Sequence, residues 1–549
     1  MGRDTTSVGR CRRDRRWLLE HETGAVRKEH GGRLRVALCY PNTYYVGMSS
    51  LGLHTVYHEF NSLPDVVCER AFFPENGRIS RAIRTLESDT PLPSFDIVAF
   101  SVAYEMDYVR MVQMLAASGI PPCAADRNDR HPIVLAGGPC PTFNPEPMAE
   151  IVDACAIGEG EEIIPDIVDA VCRSASRPDR LAALAQIEGV YVPGMYRVSH
   201  DPSGCVARVE AKAPAPFHVK RRYLKDLDSK PTHTRIFTNH TEFGRMFLLE
   251  TARGCGRGCR FCVADHAFRP PRRRSLDSLL KSADEGLGHR DTIGLLAPSV
   301  TDHRHIDELA EGILKMGGKI SVASLRADSV TETVLRCLAE SGAKTITIAP
   351  EAGTQRLRDV IGKRISEEQY MQAARMASRL GIKRVKLYFM VGLPTETEED
   401  IGSIGDFVRR LRTEGRLEQV TVSCAAFVPK PKTPWERHEM MPTDELRHRL
   451  GLIRSALSKE RWARLAFEGQ RESFLQAVLS RGDRRLGQVL ISVAQTPGNQ
   501  ADWREAFSSC GPSTGSGSPR AESRGGLDPA WFALRQREPD EVLPWAHIG

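Results

Sequence analysis

Three cysteines stand apart by their spacing. Cys255, Cys259 and Cys262 lie in Glu250-Thr251-Ala252-Arg253-Gly254-Cys255-Gly256-Arg257-Gly258-Cys259-Arg260-Phe261-Cys262, a C-x3-C-x2-C pattern in a glycine-rich loop. The chain has 14 cysteines, and the others are scattered singly, so chemistry is sought in this group. Three thiolates on one loop converge on one face of a metal cluster. The glycines let the backbone bend round it and offer amide donors to its sulfides. Three cysteines leave one iron of a four-iron cluster without a protein ligand, and an open coordination site is a reactive one. The main alternative is structural zinc, with His266 as fourth ligand in C-x3-C-x2-C-x3-H order. Against zinc, the loop follows a strand and carries an aromatic, Phe261, just before the last cysteine.

Such a loop needs a frame, and the surrounding sequence supplies one. A strand–helix series begins at Met246, with strands expected at 246–251, 292–297, 319–323, 344–349, 383–390 and 419–424. Helical periods follow most of them, at 276–286, 306–316, 329–341, 367–380 and 398–412. These βα units are too few for a closed eight-fold barrel and fit a partial (βα)6 barrel with an open side. An earlier series, with strands at 34–39, 97–102, 133–136 and 154–157 and a weaker one at Val66-Val67, alternates with helical stretches 49–60, 108–117 and 161–172. It reads as a doubly wound, flavodoxin-like domain.

The fold class expected is therefore α/β: a flavodoxin-like domain at 31–175, a partial barrel at 245–442 and a mostly helical C-terminal segment at 443–507. A basic extension covers 1–30, a connecting segment 176–244, and a flexible linker and tail 508–549, the linker being the Ser/Gly/Pro-rich run 508–526. The last residues regain apolar character and are expected to dock on the body.

Composition bounds the function. The hydrophobic fraction is 41% and the charged fraction 27%, ordinary for a globular chain. Net charge is +6, from 76 basic and 70 acidic residues, which does not require nucleic acid as a partner. No apolar run approaches the ~18 residues of a membrane span, and the apolar patch Trp17-Leu18-Leu19 is too short for a signal peptide. Reduced thiols and a cytoplasmic location are the expectation.

The cysteine loop resembles the signature of the radical S-adenosylmethionine (SAM) superfamily. Residues 34–160 and 246–436 further resemble an uncharacterised subgroup of radical SAM proteins with an N-terminal cobalamin-binding domain. The resemblance rests on Tyr40-Pro41-Asn42, Gly137-Gly138-Pro139-Cys140, Gly158-Glu159-Gly160-Glu161-Glu162, Pro429-Lys430-Pro431-Lys432-Thr433-Pro434 and the later Ser480-Arg481-Gly482-Asp483-Arg484-Arg485. It implies that Cys255, Cys259 and Cys262 ligate a [4Fe-4S] cluster whose fourth iron binds SAM. One electron then cleaves SAM to methionine and a 5′-deoxyadenosyl radical.

The same resemblance assigns SAM contacts at later strand ends. Phe261 belongs to the loop itself. Ser324 and Arg326, in Ser324-Leu325-Arg326, correspond to a hydrogen bond to SAM and a guanidinium facing its carboxylate. Glu351, in Ala349-Pro350-Glu351-Ala352-Gly353, corresponds to the acceptor for the ribose hydroxyls, and Gly392-Leu393-Pro394 to a wall of the adenine pocket. Leu295-Leu296-Ala297-Pro298-Ser299 departs from the family's Gly-Gly-Glu. Each contact has a plain structural alternative: Ser324 caps a turn, Arg326 forms an ion pair, Glu351 caps a helix.

For cobalamin, the resemblance places Ser101 and Gly137-Gly138 along the nucleotide tail. The family's D-x-H-x-x-G ligand motif is missing; its place reads Pro41-Asn42-Thr43-Tyr44-Tyr45-Val46-Gly47. His54 and His58 lie beyond it on an expected helix. The implied function is a radical SAM enzyme that methylates or rearranges an unidentified small molecule or peptide. Its expected electron donor is a protein such as a flavodoxin or ferredoxin. Two alternatives stand beside it: a methylthiotransferase-like enzyme acting on RNA or protein, which needs three further N-terminal cysteines for a second cluster, and a non-catalytic cobalamin or Fe-S sensor.

Overall fold

Short apolar runs joined by amphipathic helices bury both faces of a sheet, and that arrangement favours parallel strands. The computed structural model describes residues 15–510 and 526–549. Its first sheet has six strands: β1 (Leu34–Tyr40), β2 (Val66–Phe72), β3 (Ile97–Ser101), β4 (Ile133–Gly137), β5 (Ala154–Ala156) and β6 (Val190–Tyr191). They lie in the order β2-β1-β3-β4-β5-β6, parallel except for the antiparallel edge strand β6. Helices α1 (Leu51–Ser62) and α3 (Gly160–Arg173) bury Leu38, Ala99 and Leu135 on one face. Helix α2 (Asp107–Ala117) covers Ala37, Val98 and Phe100 on the other. The chain reverses strand order beside β1, which opens a crevice at the carboxyl ends of β1 and β3.

The Val66-Val67 strand runs to Phe72. Its length was hidden because Glu69 and Arg70 interrupt the apolar run, yet both are buried. Arg70 Nε donates to Glu87 at 2.7 Å and its Nη1 to Glu22 at 3.0 Å, while Glu69 accepts from Thr85 and from His30. Pairing of this kind is what makes a buried charge tolerable.

The second series forms a three-stranded sheet, β7 (Met246–Glu250), β8 (Thr292–Leu296) and β9 (Lys319–Val322). A four-stranded sheet follows: β10 (Thr345–Glu351), β11 (Arg384–Val391), β12 (Gln419–Ala426) and β13 (Ala463–Phe467). All pairings are parallel, and a bridge between Leu325 and Ile348 joins the two sheets. The stretch after residue 443 is mostly helical, as expected, but it contributes β13, which corrects the expectation of six strands in this half to seven. The five residues of β13, Ala-Arg-Leu-Ala-Phe, carry little strand signal, and pairing with β12 supplies what the local sequence lacks.

Helices α4 (Leu276–Leu287), α5 (Ile306–Lys315), α6 (Glu332–Glu340), α7 (Glu367–Arg379) and α8 (Glu398–Glu414) cover this series. Then come α9 (Thr443–Leu457), α10 (Gln470–Arg481) and α11 (Leu486–Ala494). The turn between α10 and α11 holds Ser480–Arg485 and locks these helices to the first sheet. Asn144 Nδ2 donates to the carbonyls of Ser480 and Gly482 at 2.9 Å each, and Arg484 pairs with Glu146 at 2.9 Å. Trp545 and Ile548 of the tail are buried. Residues 1–14 of the basic N-terminal stretch and 511–525 of the linker lie outside the described residues. Among the described residues no helix is long and apolar enough to cross a membrane.

Candidate active site

The cysteine loop leaves the carboxyl end of β7. Gly254 and Gly258 take the left-handed conformation, φ 71° and 77°. A Cβ on Gly254 would meet the Phe268 carbonyl oxygen at 2.5 Å, so only glycine passes there. The loop is pinned by backbone and side-chain bonds: Cys255 N to Ala264 O at 3.1 Å, Gly258 N to the buried Asp265 carboxylate at 2.7 Å, and Arg260 N to Ile361 O at 2.9 Å. Cys259 is buried and Cys255 and Cys262 are half-buried.

Burial pushes all three thiols up, Cys262 to about 11, while Lys363 and Arg326 favour the thiolate of Cys259. Thiols held in this way become thiolates when a metal supplies the compensating charge. His266 Nε2 lies 3.0 Å from the Cys259 carbonyl oxygen, so that nitrogen is engaged with backbone. Among the described residues no three His, Cys, Asp or Glu side chains meet closely enough to hold a single ion. A cluster, whose ligands stand on separate corners, asks for wider spacing than zinc does.

Glu351 ends β10 beside this loop, at a break in the register with β11 and with φ 69°. A non-glycine residue in that region costs about 1–3 kcal/mol and persists only where its surroundings enforce it. Lys363 Nζ donates to Glu351 Oε1 at 2.8 Å. Glu351 does not cap the next helix; Thr354 does, accepting from Leu357 N at 3.2 Å. Arg326 makes the ion pair anticipated as its structural alternative, donating to Asp328 at 3.0 and 2.9 Å. Asp328 also meets Arg257 of the cysteine loop at 3.3 Å. Ser324 is exposed after β9. Phe261 packs with Leu357, Leu393, Phe427 and Trp435 in an apolar cluster that includes Ala352, next to Glu351. The fold thus gathers Cys259, Arg326, Glu351 and Lys363.

Ser101, Gly137 and Gly138 line a cavity of about 610 Å³. It runs between the Leu38–Ala99–Leu135 face of the first sheet and helices α1 and α3, represented by Val56 and Ile164. Its other wall comes from the second series: Arg253, Gly254, Ala264, Leu296 and Pro298. One cavity therefore joins the carboxyl end of the first sheet to the cysteine loop. Gly138, at φ 106°, is required by its backbone, since a Cβ would meet Val102 O at 2.7 Å. Gly137 is different: a Cβ there has only Ala156 Cβ near it, at 3.8 Å, and what glycine preserves is space.

Among the described residues no histidine lines this cavity. His54 is buried and both its ring nitrogens are engaged. Nε2 lies 3.1 Å from Met48 O, and Nδ1 accepts from Arg235 N at 3.2 Å and Ile236 N at 3.3 Å. Burial pushes it down to about 4, so the ring is neutral. His58 is half-buried on the same helix and does not line the cavity either.

Comparison with known proteins agrees with this geometry. The family model for the N-terminal region of radical SAM proteins matches residues 52–193, and that of the radical SAM superfamily matches 249–408. An uncharacterized protein of Methanocaldococcus jannaschii is 32% identical over 461 residues, 83% of this chain and 90% of that one. The chain belongs to the radical SAM superfamily. As a radical SAM protein it is an enzyme. An uncharacterized methyltransferase of Pyrococcus horikoshii is 26% identical over 286 residues, 51% of this chain and 58% of that one. The fold is shared with the radical SAM methyltransferase TsrM of Kitasatospora setae, solved with cobalamin and a [4Fe-4S] cluster bound. The TM-score is 0.54 at 13% identity, over 86% of this chain and 99% of that one.

Sequence reasoning passed over two parts of this radical SAM site. Lys363 follows a short helix with nothing local to mark it. Arg253 lies inside the cysteine motif, yet its role is set by distant partners: Glu159 at 2.8 Å, Glu161 at 2.6 Å and Glu250 at 2.9 Å. Arg272 adds a second contact to Glu159 at 2.6 Å. This network ties the loop after β5 to the cysteine loop across the cavity.

Proposed function

We propose that this radical SAM enzyme holds a [4Fe-4S] cluster on Cys255, Cys259 and Cys262 and cobalamin in the shared cavity, and methylates or rearranges a substrate between them. The observation that carries this reading is the single cavity of about 610 Å³ walled by the glycine rim of the first sheet and by the residues flanking the cysteine loop. When bound, the cluster supplies the electron for reductive cleavage of SAM, and cobalamin supplies a carrier for the methyl group. Methyl transfer is further supported by the likeness to the Pyrococcus methyltransferase and by the fold shared with cobalamin-bound TsrM.

The chain's own residues do the positioning. Glu351, steadied by Lys363, accepts from the ribose hydroxyls. Arg326 keeps guanidinium hydrogens beyond the two given to Asp328, and these face the SAM carboxylate. Ser324 adds a hydroxyl, and Phe261 with Leu393 walls the site against water. Ser101, Gly137 and Gly138 admit the nucleotide tail into the apolar channel. Among the described residues no histidine lines the cavity, so cobalamin held there would take no histidine ligand from this lining. Exposed Arg273 and Arg304 beside Gly256 and Arg257 suit an acidic electron donor such as a flavodoxin or ferredoxin. The unpaired described cysteines suit a reducing cytoplasm.

Of Cys39, Cys68, Cys123, Cys140 and Cys155, from which a methylthiotransferase would need three for a second cluster, all but the half-buried Cys123 are buried, and burial pushes those four thiols far up. The test is anaerobic reconstitution with metal, cobalamin and product analysis. The proposal expects about four irons per chain rather than about eight, bound cobalamin and 5′-deoxyadenosine on reduction. A Cys255→Ala/Cys259→Ala/Cys262→Ala variant that retains full iron overturns it, and SAM left intact on reduction would favour a sensor.

A further inference from the structure

Below Glu351 and Met390 at its carboxyl edge, the inner face of the four-stranded sheet takes no part in the site described above. Phe389 packs against Phe407 at 6.1 Å between ring centroids, and Phe407 against Tyr370 at 5.7 Å. Val385, Leu387 and Phe389 of β11 are thus buried under α7 and α8. By the two-residue period of a strand, Arg384, Lys386, Tyr388 and Met390 point the other way. Parallel register places Thr347, Lys386, Thr421 and Arg464 side by side across β10 to β13, with Tyr388 beside Ser423 in the next row. Tyr388 is 38% exposed.

The charges in these rows are unbalanced. Lys386 Nζ lies over the Tyr388 ring at 4.7 Å. Arg464 meets the Gln419 amide oxygen, turned toward it, at 3.2 Å from Nη2. Among the described residues no carboxylate pairs with Arg384, Lys386 or Arg464, and the inward positions of these strands below Glu351 hold no acid. The outward cations nearby do find partners: Lys383 with Glu418 at 3.5 Å, Arg375 with Glu414 at 2.7 Å and Arg409 with Glu460 at 3.1 Å. The inward row thus alternates hydroxyl and cation, with Thr421 between two unneutralised cations roughly 10 Å apart at two strand spacings and Thr347 on the far side of Lys386.

We infer that this inner face binds the anionic part of the enzyme's substrate, a phosphate or carboxylate group, with Lys386 and Arg464 as its counter-charges and Thr347, Thr421 and Ser423 as hydrogen-bond donors. The row lies about five residues below the carboxyl end of β11, roughly 16 Å, so the substrate is extended. Its charged end rests on the sheet, and its reacting end reaches the cysteine loop. The inference rests on the radical SAM reading for calling the bound molecule a substrate.

The test uses the anaerobically reconstituted full-length protein, with inorganic pyrophosphate and citrate as probes in titration calorimetry. Wild type should bind at least one, pyrophosphate marking a phosphate-bearing substrate and citrate a carboxylate. Lys386→Gln/Arg464→Gln should weaken that binding at least about tenfold, and the charge-keeping Lys386→Arg/Arg464→Lys pair should stay within about threefold. Independently of any variant, the bound anion should protect Lys386 of the wild type from acetic anhydride, read by mass spectrometry. Failure of wild type to bind either anion up to about 10 mM, equal affinity in the glutamine pair, or unprotected Lys386 overturns the inference. Iron content, measured in parallel, separates the two claims. An iron-loaded wild type without anion affinity defeats only this inference, whereas a protein that cannot hold iron defeats the radical SAM site.

Discussion

Glu351 carries two opposed demands in one residue. Its φ of 69° strains the backbone, and its carboxylate, bound to Lys363, stands beside Cys259. Glu351→Gly should separate them. The backbone relaxes while the buried Lys363 loses its partner, so the thermal midpoint falls less than in Glu351→Ala, which keeps the strain, and SAM binding weakens by about 1–3 kcal/mol through loss of a charged acceptor. Unchanged SAM affinity, measured by equilibrium dialysis, would show that the carboxylate serves only the ion pair. Gly137 and Gly138 make a second contrast. Gly137→Val projects into open space and should leave stability within about 1 kcal/mol while blocking cobalamin uptake. Gly138→Ala strains the backbone against Val102 and should destabilise the apo protein as well. Cobalamin bound normally by Gly137→Val would place the nucleotide tail elsewhere.

At the scale of elements, the loop after β5 and the cysteine loop behave as one unit because Arg253 is shared between them. Glu159 keeps Arg272 and Glu250 keeps Arg274 if Arg253 is removed, but Glu161, nearly fully buried, has no second cation among the described residues. Arg253→Met should therefore cost about 3–5 kcal/mol, the price of one unpaired buried charge. Glu161→Gln in that background should recover part of it, read as a coupling energy in a double-mutant cycle from urea denaturation. Additive effects of the two substitutions would mean that the contact carries no shared energy. The strand β2 shows the same physics inside one sheet: Glu69 and Arg70 sit in a strand interior only because Thr85, Glu22 and Glu87 answer them.

For the whole molecule, buried histidines make stability depend on pH. Burial pushes His54 and His547 down to about 4, from an ordinary 6.5. Both rings stay neutral in the folded protein while the unfolded chain takes up protons below pH 6.5. Their contribution is whole above pH 6.5 and is lost as pH falls toward 4, up to about 3 kcal/mol each. Asp107 works against them: burial pushes it up to about 6, so the folded state gains a proton first and stability rises as pH falls through that range. The cleanest measurement is a difference. The stability gap between wild type and His54→Phe should shrink by about 3 kcal/mol between pH 7 and pH 4. A gap that does not change with pH would mean that His54 titrates in the fold as it does in the unfolded chain.

Local spacing and period are legible along the chain. The C-x3-C-x2-C loop, its place after a strand, the alternation of strand and helix and the glycines at strand ends are properties of short stretches, and the fold keeps them. Strands at 292–297 and 419–424 are legible because consecutive side chains must face opposite environments, and that requirement is written residue by residue. The tertiary structure alone decided which distant stretches share a space. Arg253 meets Glu159 across 94 positions of chain, β13 exists as a strand because β12 lies beside it, and Lys386 faces Arg464 only once the register of three strands is set. The cavity joining Gly137 to Gly254 has the same origin. Neither wall is apolar enough or long enough in sequence to announce it, and it comes into being when two sheets pack with their carboxyl ends together.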